Sequence, residues 1–482
     1  MSQMSDLLTI LPVLIVVTWA LLLLVVDLWI PKQKKGLTAL LAVIGLAVAL
    51  GASLATSGST TLAFNQMVVS DGFSDFLHIL FLGSGMAAIA LSYDYLKRMQ
   101  IERGEYYVLL LFSIAGMMLM AQAYNLIMVF LALELLSIPI YVLSGFASGR
   151  SISEESALKY FLMGAFASGF ILYGTAMIFG ASGHIDFPGI AATLHAGQVN
   201  PVLFVIGAAL LLVGFGFKVA AAPFHMWTPD VYHGAPSSIS AFMSVAVKAA
   251  GFASLLRVFM VLFPGLADQM TPILWGIAAL TMVMGNLVAL MQTNLKRLLA
   301  YSSIAHAGYI LMAFVSYGNK QFGSESISAA LFYLLAYGLA SFGAWAIVVA
   351  MEKDYGEGLF LEDLSGLGKR YPWLGTAMLI FMLSFAGIPL TMGFWGKFYL
   401  FRTTIQAGFL SLALIGILTS LISVYYYLRV VVFMFMKPGE KELQVNPWVG
   451  LVIAVTAIAV IAMALYPGVF VAWANQAVML LQ

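Results

Sequence analysis

The 482-residue chain contains no cysteine. It therefore has no disulfide, no thiolate metal site and no iron–sulfur cluster of its own. Charge is scarce, with only 9% of residues Asp, Glu, Lys or Arg, against about 25% in soluble domains. A net charge of +1 argues against nucleic acid as a partner. There is no P-loop, no dinucleotide-binding glycine fingerprint, no metalloprotease motif and no histidine pair placed for haem. Long linkers are missing too: the longest charged connection, 352–371, cannot hold a soluble domain. The N-terminus lacks a basic leader and a small-residue cleavage site. Its first apolar run, 7–30, is too long for a signal core and reads as a retained span.

What the chain has is apolar length. Hydrophobic residues make up 62% of it, which predicts an all-α polytopic membrane protein. A spanning helix needs about 20 mostly apolar residues, and this rule yields fourteen candidate spans. They include 105–122 and 124–147, split by a short turn, and two overlong runs at 201–229 and 373–403, spans seven and twelve. The odd-numbered connections hold fifteen basic residues, whereas the even-numbered ones hold only Lys320 and Arg402. The bias puts the odd connections in the cytoplasm and both termini on the other side.

The two overlong runs carry matching interruptions. One reads Ala220-Ala-Ala-Pro223 followed by Phe224 and Trp227. The other reads Phe385-Ala-Gly-Ile-Pro389 followed by Trp395 and Lys397. Five spans separate them, and an odd offset reverses orientation, which is the mark of an inverted repeat. The expected units are helices 1–3 in 1–104, a first repeat in 105–263, an inverted second repeat in 264–435 and a last helix in 436–482. Two unrelated proline-kinked helices would leave the same pattern.

Charges lie inside these spans, where each costs roughly 2.5–3.5 kcal/mol on insertion scales. Glu134 sits about 15 Å into its helix at 1.5 Å per residue, too deep for a short carboxylate to reach water. Lys248 lies mid-span among small residues, and Lys218 and Lys397 adjoin the interruptions. His306, flanked by Tyr and Ser, is a candidate relay as much as a packing residue. Arg257 and Arg429 lie near helix ends, where snorkelling to the interface suffices. His225 follows the first interruption. Lys159 and Glu155 mark either a cytoplasmic mouth or an ordinary solvated pair. The abundant methionine reads as adaptable packing rather than copper ligation.

Desolvation disfavours the charged form of an acid or base, so such groups can exchange protons when a neighbour moves. Opposite charges about 4 Å apart attract by roughly 4 kcal/mol at an effective dielectric of 20. Moving one charge against 100 mV costs about 2.3 kcal/mol. A Glu134–Lys218 pair that opened and closed would be strong enough to gate such a step.

Several segments resemble a known family. They are Leu133-Glu-Leu-Leu-Ser-Ile-Pro139, Ala157-Leu-Lys-Tyr-Phe161, Phe217-Lys-Val-Ala-Ala-Ala-Pro-Phe-His-Met-Trp-Thr-Pro-Asp230, Ser302-Ser-Ile-Ala-His-Ala-Gly-Tyr309 and Gly387-Ile-Pro-Leu-Thr-Met-Gly-Phe-Trp-Gly-Lys-Phe398. The chain is similar to the antiporter-like membrane subunits of respiratory complex I, shared with Mrp-type cation/proton antiporters. It is most like the subunit N branch, the counterpart of mitochondrial subunit 2. Lys397 stands where the M branch has glutamate, and the long lateral helix of the L branch is not expected here. The resemblance implies two inverted five-helix repeats with helices 7 and 12 broken. It implies that Glu134, Lys218, Lys248 and Lys397 line a hydrated path, with His306 as a further relay, and that this path carries protons in a NADH:quinone oxidoreductase. NADH, FMN, iron–sulfur clusters and quinone would be bound by other subunits, and this chain would hold no cofactor. Expected partners are M-like and K-like neighbours, the lateral helix of an L-type subunit and the lipid of a bacterial plasma membrane. The competing readings are a subunit of an Mrp-type sodium/proton antiporter, a subunit of a ferredoxin- or formate-linked complex, and a structural membrane spacer.

The charge bias makes a direct prediction. A cytoplasm-active reporter inserted at Arg150 or Lys369 should be active, and one fused at the C-terminus silent. The reverse pattern would invert the topology.

Overall fold

The computed structural model describes residues 3–316, 323–353, 359–477 and 479. Lys320 lies outside them. The main helices are α1 (Leu11–Val26), α2 (Gly36–Thr56), α3 (Gly72–Arg98), α4 (Glu105–Gln122), α5 (Leu126–Ser144) and α6 (Ser151–Ser182). They continue as α7 (Pro201–Lys218), α8 (Trp227–Gly234), α9 (Ser237–Leu262), α10 (Ala267–Leu290), α11 (Leu295–Val315) and α12 (Gly323–Met351). Last come α13 (Pro372–Ala386), α14 (Met392–Gln406), α15 (Leu410–Met436), α16 (Pro447–Leu465) and α17 (Pro467–Gln476). Among the described residues, thirteen helices are long and apolar enough to cross a membrane. The expected twelfth span is instead the pair α13 and α14, each of 15 residues. The last helix expected within 436–482 divides at Pro467 into α16 and α17, because proline supplies no N–H to continue the ladder. A small hairpin pairing Thr61–Ala63 with Val68–Ser70 and a short helix at Phe187–His195 join the spans. Neither is visible in the hydropathy pattern.

Asparagine starts several spans. Asn125 accepts from the backbone of Ile127 at 2.8 Å, Asn200 from Val202 at 3.1 Å, Asn294 from Arg297 at 3.2 Å and Asn446 from Trp448 at 2.9 Å. Each satisfies one of the N–H groups that a helix start leaves open. Pro201 and Pro447 follow two of these caps, at a position that needs no N–H.

The two interruptions are alike in their backbone. Each holds a non-glycine residue in the left-handed region, Ala220 at φ 60° and Leu390 at φ 70°, a conformation that costs energy and persists only where the surroundings enforce it. The surroundings do so. Thr281 of α10 accepts from the Ala222 N–H at 2.9 Å, and the Trp227 indole donates to the Phe217 carbonyl at 3.0 Å. At the second break Gly387 is also left-handed, and the Gly393 N–H donates to Ser384 Oγ at 3.2 Å.

The interior is formed by α9, α11 and α12, which are almost wholly buried. Close approach needs small residues. At Gly285 of α10 a Cβ would lie 2.5 Å from the Ala305 nitrogen of α11, so any side chain there would push the two helices apart.

Arg257 departs from its expected interfacial placement. It is fully buried and bonds Asp71 in two-pronged fashion, Nη1 to Oδ2 and Nη2 to Oδ1, both at 2.8 Å. Asp71 also caps α3 reciprocally with Ser74, so one carboxylate joins α9 to the start of α3. Arg429 is likewise engaged rather than free. It donates to the carbonyls of Leu290 at 3.1 Å and of Gln292, where the end of α10 carries negative partial charge.

Breaking a buried ion pair by removing one partner costs about 3–5 kcal/mol, whereas replacing both is often near neutral. Arg257→Leu should therefore lower the thermal stability of the purified protein by that order. Adding Asp71→Asn, which keeps the cap, should recover much of the loss.

Candidate functional site

Lys397 on α14 reaches back across the second break. Its ammonium donates to the carbonyl of Phe385 at 2.7 Å, that of Ala386 at 3.3 Å and Ser420 Oγ of α15 at 2.7 Å. An ammonium has three donors and no acceptor, so all three are engaged. Two of the acceptors are the last carbonyls of α13, the negative end of that half-helix. The Tyr309 ring of α11 lies 4.7 Å from the charge.

Lys248 follows a wider turn, Met243–Val247, with i→i+5 geometry inside α9, a local insertion common at functional positions. Its ammonium donates to the Ser303 carbonyl at 2.7 Å and to Ser303 Oγ at 2.8 Å. One turn along α11 stands His306. Its Nδ1 is 2.6 Å from the Tyr333 hydroxyl and its Nε2 is 3.0 Å from the Tyr427 hydroxyl, which itself lies 2.5 Å from Ser302 Oγ. One turn further is Tyr309, under Lys397. Ser303, His306 and Tyr309 thus recur at every third residue of α11 and face partners from α9, α12, α14 and α15. The rise from Ser303 to Tyr309 is about 9 Å. A neutral imidazole donates through one nitrogen and accepts through the other, so the two tyrosines play opposite roles towards His306.

Lys218 is the last residue of α7. Its ammonium has one oxygen acceptor among the described residues, Ser137 Oγ of α5 at 2.7 Å. Aromatic faces supply the rest: the Tyr141 ring lies 5.3 Å and the Tyr160 ring 5.6 Å away, within cation–π range. Lys218, Lys248 and Lys397 are at most 4% exposed. Glu134, one helical turn before Ser137, is half-buried and accepts from Ser168 of α6. No direct Glu134–Lys218 ion pair forms, and the attraction expected for a contact pair is correspondingly reduced. The Ser137 hydroxyl that accepts from Lys218 donates to the Leu133 carbonyl, and Glu134 turns to Ser168 instead. Lys218 and Lys248 do not touch through hydrogen bonds either. Their elements meet at Gly251, where a Cβ would lie 3.3 Å from Lys218 Cβ. The candidates therefore form two clusters, Glu134–Ser137–Lys218 and Lys248–His306–Lys397, packed side by side.

Two charged groups escaped the sequence reading. Lys296, fully buried, donates to the Ala235 carbonyl at 2.7 Å, and Glu352, also fully buried, accepts from Ser237 Oγ at 2.5 Å. In the sequence they pass for ordinary loop-edge charges. Nearby, Asp230 at the middle of α8 receives Arg297 at 2.8 Å and Lys159 at 3.0 Å, and Lys159 also pairs with Glu155 at 2.7 Å. This cluster is partly exposed, and it joins α6 and α11 to the second half of the first broken helix. The neighbouring His225 is half-buried with its Nδ1 unpartnered among the described residues. Burial pushes the Asp230 carboxyl up, but the hydrogen bonds and charges of Arg297 and Lys159 outweigh it and hold the group below the usual carboxylate range.

Interrupted helices gathered around desolvated ammonium groups define a polytopic membrane protein with ionisable side chains threaded through its middle. Residues 123–423 match the transmembrane family described as NADH:quinone oxidoreductase/Mrp antiporter, and the chain belongs to that family. NADH-quinone oxidoreductase subunit N of Trichlorobacter lovleyi is 44% identical over 99% of this chain and 98% of its own length. A chain of respiratory complex I from Thermus thermophilus, solved with bound aureothin, superposes with a TM-score of 0.81 at 37% identity, covering 96% of this chain and 98% of that one. A chain of the Mrp complex from a Dietzia species superposes at 0.87 with 20% identity, over 99% of this chain and 97% of that one, which shows a shared fold.

Because Asp230 is held below the ordinary value, the stability it contributes is complete above about pH 4 and is lost as pH falls through its lower folded value. Asp230→Asn should reproduce the acid condition at neutral pH. Hydrogen exchange across 227–236 should then rise by no more than about thirtyfold, since Asp230 makes two ion pairs and exposed ones contribute about 0–1 kcal/mol each.

Proposed function

We propose that the chain is the N-type proton-translocating membrane subunit of a NADH:quinone oxidoreductase. In this reading it carries no redox group, and electron transfer in neighbouring subunits drives proton movement through it. Family membership and the nearly full-length likeness to subunit N relatives support the assignment. One observation carries the mechanism: a single helix, α11, brings Ser303, His306 and Tyr309 into line between Lys248 and Lys397.

Each ammonium keeps its charge only through a few oxygens or ring faces, so a small displacement of those acceptors changes its hold on a proton. Lys397 has three acceptors, Lys248 two atoms of one serine, and Lys218 one hydroxyl within an aromatic cage. His306 can take a proton from one tyrosine side and return one to the other by exchanging tautomers. Glu134, one helical turn from Ser137, adjusts the field at Lys218 through space. Its half-exposed flank suits a signal arriving from a neighbouring subunit.

The assignment carries further expectations. The two broken helices belong to inverted repeats spanning 105–263 and 264–435. M-like and K-like subunits and a lateral helix from an L-type subunit flank the chain in a bacterial plasma membrane. Both termini face away from the cytoplasm, and Asp230, Arg297 and Lys159 line the cytoplasmic mouth. NADH, FMN, iron–sulfur clusters and quinone are held by other subunits.

Glu134→Gln should leave the assembled complex intact while abolishing or sharply reducing NADH-driven proton translocation in proteoliposomes. Full pumping by that variant would remove Glu134 from the mechanism.

A further inference from the structure

Two cavities lie against one face of α12. The first, about 380 Å³, is lined by polar and apolar surface in equal measure and sits where α12 begins. Its lining includes Ser324, Glu325 and Ser328 of α12, Arg402 of α14 and Asn475 of α17, above the rings of Phe332 and Tyr399. The second, about 220 Å³, is almost entirely apolar and lies deeper. Leu335, Leu339 and Phe342 of α12 face Leu80 and Gly83 of α3 there, with Trp473 of α17 beside them. On α12 the lining residues run 324, 328, 332, 335, 339 and 342. Steps of three and four residues keep them on one helix face, so the two cavities lie in succession along a single stripe. The stripe is about 27 Å long at 1.5 Å per residue. One bilayer leaflet with its headgroup region is about 20 Å thick.

Among the described residues, the polar end holds one cation and one anion that do not pair with each other. Arg402 is exposed and is one of only two basic residues in the even-numbered connections. Glu325 is exposed across the same cavity. A guanidinium matches a phosphate geometrically, and a carboxylate matches a primary ammonium. Two serines and an asparagine add neutral hydrogen-bonding groups. A free phosphate would use the arginine but would leave the carboxylate opposed and the apolar cavity unfilled.

We propose that this groove binds one zwitterionic phospholipid of the ethanolamine type. Arg402 takes its phosphate, Glu325 its ammonium, and an acyl chain runs down α12 into the cavity beside Gly83. The lipid fastens α14, the second half of the broken helix that carries Lys397, to α12 and α17. Arg402 lies five residues beyond Lys397 on α14, so the site gives the surrounding bilayer a hold on that half-helix.

The test uses the detergent-purified membrane complex containing the full-length chain, with retained phospholipid extracted and quantified by mass spectrometry. Gly83→Leu is the informative variant. A Cβ at Gly83 meets no atom within 4 Å and Gly83 lines the apolar cavity, so a leucine side chain is directed into that space. An unchanged melting temperature would verify that the variant is folded. The proposal expects one equivalent of phosphatidylethanolamine per chain to be retained by the wild type and lost from Gly83→Leu. Arg402→Gln should weaken retention roughly tenfold or more, the scale of a lost charged hydrogen bond. Equal retention by wild type and Gly83→Leu would overturn it. So would binding of inorganic phosphate that is indifferent to Gly83→Leu, or a photo-crosslinker at Gly83 that traps a neighbouring polypeptide instead of lipid.

Discussion

An ammonium group removed from water must find oxygen, and this fold provides it by stopping helices early. An uninterrupted helix spends its carbonyls on its own ladder. A helix that ends inside the protein leaves its last carbonyls free. Lys397 uses the carbonyls of Phe385 and Ala386 in this way, and Ser420 completes the set. At Lys218 the helix also ends, but there the ammonium turns to Ser137 and to two tyrosine faces. The strained residues Ala220 and Leu390 are part of the same solution, since each turns the chain out of a helix where a charge needs room.

The second organising element is α11. At its start Lys296 and Arg297 hold the Ala235 carbonyl and Asp230, so this helix grips the second half of the first broken helix. In its middle Ser303 meets Lys248, and beyond it His306 and Tyr309 lead to Lys397. One helix therefore touches both interrupted regions. Gly285, which lets α10 press against it, keeps its position defined. A shift of α11 by a fraction of an ångström would alter the contacts of Lys248 and Lys397 together.

Much of this was legible in the residues themselves. Lys218, Lys248 and Lys397 stood out because charge within apolar runs is costly, and both interruptions were marked by proline beside small residues. Partnership was harder to read. Arg257 looked like a snorkelling residue because its partner, Asp71, lies 186 positions away and reads as a loop acid. Glu134 and Lys218 looked like a contact pair, but Lys218 turns to Ser137 and Glu134 to Ser168 on another helix. Lys296 and Glu352 seemed to belong to loops because hydropathy has no term for a helix end packed under its neighbours. The serine and tyrosine hydroxyls that complete the site are common in helices, and only their assembly around His306 distinguishes them.

The central claim is that Lys248 and Lys397 communicate through His306. It is tested most directly by the number of protons translocated per NADH oxidised, measured in proteoliposomes containing the complex with His306→Phe. This substitution retains an aromatic ring among Tyr333, Tyr337 and Phe385 but removes both nitrogens. The account predicts an assembled complex whose proton yield per NADH falls below that of the wild type. An unchanged yield at normal turnover would contradict it.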